Sequence, residues 1–547
     1  MSVDLRTELN ACDSITGFTG DGPVGVDNTT GFVYQGTNAI TTQHTNVDEG
    51  IYTTTIGGTR NLSDATCYMI LKDNLVQTAA NGGVQYMLFD GTDRIGYGVG
   101  GNDNPGMALD VFWNSYKLDV TTIGAVPYTN TYAGVLANLT TTAITGVGLG
   151  TVHLAKAQGN VDNIKLDRMS FHANGSYALQ ENGGTSGTPR TTANLLSDSI
   201  TNGWGLVANP TGSSYTFHGP IQFGEPTNNT VSYFTATDAQ WTLIGGVVGA
   251  THFPFQFIGN AGANIQSFVL DGVAITNVGT RAEFDFSSAN INSSTIRHTL
   301  TGVTFTDIGA TTFSTVNDVN RTLASLTYNN ADIIDFGATT LNGAIINGTT
   351  RANGALVLNE NTTYVSNQSN ITFNSDGTGH AFEIAPTGAG PFTYNLTGWT
   401  YNGYAGTDGT TGNEALFINP STLSANITIN IASGDTPTVR EVASYTGTLT
   451  INNNVTVTIT VQDAATAPVV GAVVGIYNAN TNVELENNET DGSGIVTFST
   501  SASQPVYVRV LKSTTGSTRY VPVETTGNTG SGLNLTVTLN EDGIVDP

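Results

Sequence analysis

Apolar and polar residues alternate one by one through much of this 547-residue chain. In "VTFTDI", residues 303–308, Val303 and Phe305 fall on one face of an extended strand with Thr304 and Thr306 on the other, because strand side chains alternate with period two. The block "LTGVTFTDIG" (300–309) nearly repeats "LDGVAITNVG" (270–279), which stands 30 residues earlier and puts Val273 and Ile275 in the inward places. A third version, "LTGWTYNGYAG" (396–406), has Trp399 and Tyr401 there and one more residue before its last glycine. "NADIIDFG" (330–337) and "SNITFNSDG" (369–377) read as degenerate copies. One strand-and-turn unit cannot bury its apolar side alone, so repeats of about 20–50 residues normally stack, each bonding to the next about 4.8 Å away. The pattern predicts a β-solenoid over residues 251–455. Gly279 and Gly309 would take the positive φ of sharp corners, and Asn277 would begin a side-chain ladder between rungs. The alternative is a β-sandwich with two strands that happen to look alike.

Residues 1–190 carry no such period. Separate strand signals such as "CYMIL", "GVQYMLF" and "GMALDVFW" are punctuated by Gly, Asn and Asp, and "LFDGTDRIGYG" (88–98) has the Asp-Gly turn of a hairpin, all of which predicts a two-sheet sandwich. Residues 191–250 read as a transition that caps the solenoid, with Trp204, Tyr215 and Phe217 covering an end whose bare backbone would otherwise invite edge pairing. From residue 456 to 547 the texture changes again: "VTVTITVQ" alternates strictly, Pro468 breaks it, and "ETDGSGIVTF" and "PVYVRVL" follow, with Asp491 and Gly492 at a hairpin turn.

These segments carry resemblances. "ACDSITGFTGDG" (11–22) and "GNVDNIKLD" (159–167) are similar to the concanavalin-like jelly rolls that open many phage structural proteins, and the order of strands after Val455 resembles the Ig-like, carboxypeptidase-regulatory-type sandwich. The resemblance implies an all-β chain: an N-terminal lectin-like jelly-roll sandwich, a central right-handed parallel β-helix and a C-terminal Ig-like sandwich. It implies a spacer or presentation role for the last module, with no chemistry of its own.

Composition narrows the function. Charged residues make up 11%, against about 25% in ordinary globular proteins, and 65 glycines plus Thr, Asn and Ser give a neutral, hydroxyl-rich surface. A net charge of −26 argues against nucleic acid as partner, since phosphate binding needs clustered Lys and Arg. No run approaches a membrane span, and "MSVDLRTELNACDS" has neither a basic nor an apolar leader region, so assembly in a host cytoplasm is expected. Cys12 and Cys67 are too few for a disulfide framework and read as packing thiols.

Candidate chemistry is sparse. Glu283 and Asp285 in "RAEFDF" share a strand face about 7 Å apart, a separation within the range that a glycosidase acid and its partner carboxylate need. The competing reading is a solvated face with Phe284 and Phe286 in the core. Asp332 and Asp335 would point to opposite faces. The seven histidines show no metal-ligand spacing. Asp90 and Asp93, or Asn102, Asp103 and Asn104, offer oxygen ligands for calcium without matching an EF-hand. Trp113 and Tyr116 are candidates for stacking on a sugar, although aromatic residues on strands are more often core. No cofactor is expected.

The three-part order resembles a bacteriophage virion surface protein. The expectation is a non-enzymatic, rigid appendage, a capsid decoration, head fibre or tail fibre on the virion surface, that stabilises the particle or adheres to a host surface glycan. A homotrimer bound to other virion proteins is implied. The rivals are a tailspike-type depolymerase using Glu283 and Asp285, and a host-made adhesin or surface-layer protein.

Overall fold

The computed structural model describes residues 2–20, 24–28, 37–44, 49–53, 56–72, 82–98, 114–121, 129–133, 136–153, 162–224, 232–244, 254–257, 266–278, 281–286, 296–313, 322–360, 365–501, 504–513, 518–530 and 532–545. The chain is all-β, with one α-helix of ten residues among those described, Thr192–Thr201. It divides into two compact units, Met1–Thr340 and Leu341–Pro547.

The first unit opens with two antiparallel sheets. One runs Asn114–Asp119, Ala65–Lys72, Asp162–Ala173, Ala39–His44 and Val24–Asp27, with Thr7–Asn10 also on the long strand. The other runs Thr129–Ala133, Arg94–Gly98, Gly82–Phe89, Gly146–His153, Glu49–Thr53 and Phe18–Gly20. Cys67, Met69 and Leu71 face Tyr86, Leu88, Val147 and Leu149 in the core, which also holds Cys12; both cysteines are free thiols, and burial pushes each of them up. The opposite face of the first sheet is buried as well. Residues 204–219 lie over it: Arg6 Nη2 donates to Trp204 O (2.6 Å), Lys117 Nζ reaches His218 O (3.4 Å), and a side chain at Gly205 would strike Ile70.

The rest of this unit is a stack of parallel rungs, each made of three short strands. Gln266–Asp271, Ala274–Val278 and Glu283–Phe286 form one rung, and Ile296–Thr301, Thr304–Thr306 and Thr311–Phe313 the next. The repeated block thus pairs with itself in register, Leu270 on Leu300 and Ile275 on Phe305. The following copy is not "NADIIDFG": Leu300 pairs with Leu323 and Phe305 with Tyr328, so "LASLTYNNA" is the third copy after a step of only 23 residues, and Ile334 belongs to the column of Thr311. Rings make the core. Phe223, Phe257, Phe286 and Phe313 stack in succession at 4.8, 4.4 and 4.8 Å, the spacing of the strands that carry them.

Residues 191–250 contain rungs of the same stack, since Ser214–Phe217 pairs in parallel with Gln240–Ile244 and Ser232–Thr237 with Gln266–Asp271. The helix Thr192–Thr201 stands at the first rung. Thr191 caps it, Leu195 is buried, and Trp241 Nε1 donates to Thr192 Oγ1 at 3.2 Å.

The corners differ in position from the expected ones. Gly272, Gly302 and Ser325 follow one another in register with φ of 62°, 60° and 53°, and Asp238 precedes them at 47°. Gly279 lies outside the described residues. Gly309 is not left-handed; the corner after "VTFT" is Asp307 itself, followed in register by Asn330, at 55° and 54°. What Gly309 supplies is room, because a Cβ there would sit 3.1 Å from Ala282 O. Asn277 is buried and accepts from Ala282 N at 3.1 Å.

The second unit begins with further parallel rungs. Ile345–Thr349, Thr372–Asn374 and the long strand Phe392–Asn402 pair in turn, and Leu356–Leu358, Phe382–Ile384, Leu416–Ile418 and Val439–Glu441 form another column. The same corner recurs at Gly343, Asn370 and Gly398, with φ of 82°, 56° and 70°. Outward side chains bond from rung to rung: Asn374 to Asn347 (2.7 Å), Asn402 to Asn374 (2.8 Å), Asn430 to Asn395 and Asn452 to Asn430 (2.8 Å each).

The unit ends in two facing sheets. Ile495–Ser501, Asn454–Asp463 and Leu533–Leu539 make one, and Glu484–Glu489, Val473–Asn478, Pro505–Leu511 and Val523–Asn528 the other. Their core is aliphatic, led by Val457, Ile459, Val461, Val474, Ile476, Val506, Val508 and Val510. Asp491 does not turn a hairpin. The strands on either side of it belong to different sheets, and its carboxylate caps that crossing by accepting from Ser493 N and Ile495 N, with the positive φ at Gly494 and not Gly492.

Candidate functional site

The polar faces of the rungs are where the sequence places its carboxylates. In Glu283–Phe286 the alternation holds: Phe284 and Phe286 are buried, Glu283 is exposed and Asp285 half-buried on the outer side. Register then defines what stands beside Asp285. Gln180, Gln222, Gln256, Asp285, Thr312 and Asp335 form one outward column. The first four are bonded in series, Gln180 to Gln222 (3.1 Å), Gln222 to Gln256 (2.9 Å) and Gln256 Nε2 to Asp285 Oδ2 (3.0 Å). Asp285 is therefore the acceptor that ends an amide ladder. Beside it, burial and the Asp285 charge push the Tyr177 phenol up to about 12.

Spacing alone separates Asp335 from Asp332, and register brings it to the face of Asp285, two ladder steps or about 10 Å along the column. Burial raises its carboxyl, and the N–H of Gly337, donating to Oδ1 at 2.8 Å, offsets this only in part. A carboxyl raised by burial, on the same face as a second carboxylate, is one element of general-acid chemistry.

The remaining candidates are spread out. Asp90 and Asp93 sit together at the hairpin turn, where Asp90 Oδ1 accepts from Thr92 N (2.9 Å) and Asp93 N (2.8 Å) and Oδ2 from Thr140 N (2.8 Å). Burial opposes ionisation of Asp90, but these three N–H groups outweigh it and hold the carboxyl low. One oxygen folds the turn and the other ties it to the segment at Thr140. Among the described residues no group of three or more His, Cys, Asp or Glu is placed to hold a metal ion. Trp113, Asn102, Asp103 and Asn104 lie outside the described residues. Tyr116 is in the strand Asn114–Asp119, opposite Met69, and its side chain lies outside the description.

In the second unit a polar cluster escaped the sequence reading. Glu383 is 3% exposed, and its carboxylate accepts from Arg351 Nη2 (3.1 Å), Asn353 Nδ2 (3.0 Å) and Asn419 Nδ2 (2.7 Å). Next to it His380 stacks on Phe417 at 5.0 Å, with Nδ1 2.6 Å from Glu414 O; burial lowers its pKa. Groups from three successive rungs converge here, which spacing along a chain of variable period does not reveal. Three donors converge on one carboxylate, so this cluster ties its loops together.

No protein-family model matches this chain, and no curated protein matches it. Among solved structures it is similar to the catalytic unit of a thermostable GH87 alpha-1,3-glucanase from Streptomyces thermodiastaticus strain HF3-3, over 83% of this chain and 95% of that one, at 11% identity and a TM-score of 0.18. It is also similar to the CBM22-1 xylan-binding domain from Paenibacillus barcinonensis Xyn10C, over 31% of this chain and 92% of that one, at 16% identity and a TM-score of 0.17. An exo-beta-agarase aligns over 31% of this chain at 11% identity and a TM-score of 0.21, and the match spans about a quarter of the agarase, 26%. Likenesses at this level decide neither fold nor activity.

Proposed function

We propose that this chain is a non-enzymatic, rigid appendage of a phage virion surface, either a decoration or fibre of the head or a fibre of the tail, that stabilises the particle or adheres to a glycan. In this reading the opening sheets are a concanavalin-like jelly roll, the rungs a right-handed parallel β-helix, and the closing sheets an Ig-like sandwich. The observation that carries it is the fate of Asp285. The carboxylate best placed for chemistry terminates the ladder Gln180, Gln222, Gln256, so it serves rung-to-rung stiffness. The asparagine ladders of the second unit act in the same sense. The virion assignment is supported by the three-part order of the sequence, and a homotrimer goes with it.

A second reading, a depolymerase of host surface polysaccharide, is favoured by one feature, the raised carboxyl of Asp335 on the face of Asp285. Its acid would be Asp335 and its partner Asp285, about 10 Å apart along the column, just beyond the roughly 6.5–9.5 Å spacing of inverting glycosidases. The purified chain, incubated with host surface polysaccharide, is expected to release no reducing sugar, and antibody against residues 456–547 should decorate virions. Sugar release that disappears in Asp335→Asn and Asp285→Asn, or in Glu283→Gln, would replace the first reading with the second. Light scattering should give three times the chain mass.

A further inference from the structure

The closing sandwich has a face that the structural role leaves unused. On the four-stranded sheet, Val474, Ile476, Val506, Val508 and Val510 point inward, so alternation sends Tyr477, Tyr507 and Arg509 outward. Tyr477 and Tyr507 stand directly opposite each other, their rings 5.0 Å apart and within 10° of parallel. We propose that this face is a saccharide-binding platform, with the two tyrosine rings as its floor and Arg509, Glu484 and Glu524 as its polar rim. The proposal rests on the adhesive side of the reading above and names the place and the class of ligand.

Three observations build it. The first is Gly475, in the middle of a strand, where glycine costs stability unless something must come close. Here it is Tyr477: a Cβ at 475 would lie 2.9 Å from the ring's Cε2, so the missing side chain lets the ring lean along the strand. The second is fixation from both ends. The Tyr477 hydroxyl donates to Glu484 Oε2 at 2.9 Å, and the Arg509 guanidinium lies 5.0 Å from the Tyr507 centroid and 5.3 Å from that of Tyr477 while its Nε donates to Glu524 Oε2 at 2.7 Å. Side chains held in place before a ligand arrives lose little entropy on binding it. The third is the charge of the rim, two carboxylates to one guanidinium, with Glu486 and Glu489 on the neighbouring edge strand. Such a rim repels a polyanion.

A neutral sugar fits these features. Its C–H face packs on an aromatic ring, and its hydroxyl pairs take hydrogen bonds from a guanidinium and give them to carboxylates. The full chain should be titrated with maltohexaose, cellohexaose, xylohexaose and chitohexaose, with hyaluronan as the anionic control, by calorimetry and tyrosine fluorescence. We expect at least one neutral probe to bind and hyaluronan not to. Affinity should fall roughly tenfold or more in Tyr507→Ala and in Gly475→Ala, which displaces the Tyr477 ring, with the melting temperature as the fold control. Binding that survives in Tyr477→Ala/Tyr507→Ala would overturn this face and leave adhesion elsewhere on the chain standing. Failure of every neutral probe to bind the unmodified chain at millimolar concentration would overturn the platform, and if virions carrying it still bound their host surface, the adhesive reading would survive without it.

Discussion

The parallel stack of the first unit and the closing sandwich of the second use aromatic residues in opposite ways. In the stack the rings are inside, in the column Phe223, Phe257, Phe286 and Phe313 and in a second pair, Phe305 on Tyr328 at 5.0 Å. In the sandwich the buried cluster is made of Val, Ile, Leu and Ala with Phe498 as its one aromatic among the described residues, and the paired tyrosines are outside. Geometry explains the difference. A parallel stack repeats each inward position at the interstrand spacing of about 4.8 Å, which offset flat rings tolerate well. Two facing sheets about 10 Å apart are filled by interdigitating branched side chains. Tyrosines on the outside of the sandwich are therefore not a packing requirement.

The largest test of that contrast is Phe286→Ala. The ring is wholly buried between Phe257 and Phe313, and its removal should cost about 3–5 kcal/mol in chemical denaturation. Tyr507→Ala should cost under about 1 kcal/mol. A reversed order would mean that the surface pair holds the sandwich together and the contrast is wrong.

A third kind of packing, sheet on rung in the first unit, is polar, and its signature is acid sensitivity. Burial, with Lys117 and Arg6 nearby, holds the His218 imidazole down to about 3 from an ordinary 6.5. Burial likewise lowers Lys117, with Asp119 drawing it partly back. A base whose folded pKa is depressed favours folding above its unfolded pKa, and that contribution is lost as acid protonates the unfolded chain preferentially. The His218 share should be intact at pH 7 and reduced by at most roughly 3 kcal/mol at pH 4. Melting curves between these pH values should show a shallower decline in His218→Gln, and an unchanged slope would remove His218 as the cause.

How much of this was legible follows from the same contrast. Local alternation was: Val303 and Phe305, Val273 and Ile275, Phe284 and Phe286 all face inward where the pattern puts them. The self-pairing of the block at 270 with that at 300 was legible too, because the two blocks keep the same kinds of residue at the positions that pair. The next step shortens from 30 to 23 residues, which hides "LASLTYNNA" as a copy and with it the column that unites Asp285 with Asp335. Glu383, Arg351 and Asn419 meet only through register. The tyrosine pair was hidden differently: Tyr477 and Tyr507 are 30 residues apart in strands that sequence shows as apolar runs, and only the antiparallel register makes them opposite.

The smallest effects test what the stack repeats and the sandwich does not, its left-handed corner. Gly272, Gly302 and Ser325 occupy that corner in successive rungs, so each serves as a control for the others. Gly302→Ala meets nothing closer than 3.9 Å and should cost only the backbone strain of a side chain at φ 60°, about 1 kcal/mol. At Gly272 a Cβ would also come within 2.5 Å of Asp238 Oδ1, so Gly272→Ala should cost more unless that side chain swings away. Ser325 already carries the strain at φ 53°, and Ser325→Gly should relieve it, offset by the greater freedom glycine gives the unfolded chain, for a net gain below about 1 kcal/mol. Opposite signs at two positions one rung apart would establish that the corner, and not the identity of its neighbours, sets the effect; equal signs would mean that local contacts dominate and the rungs are not equivalent.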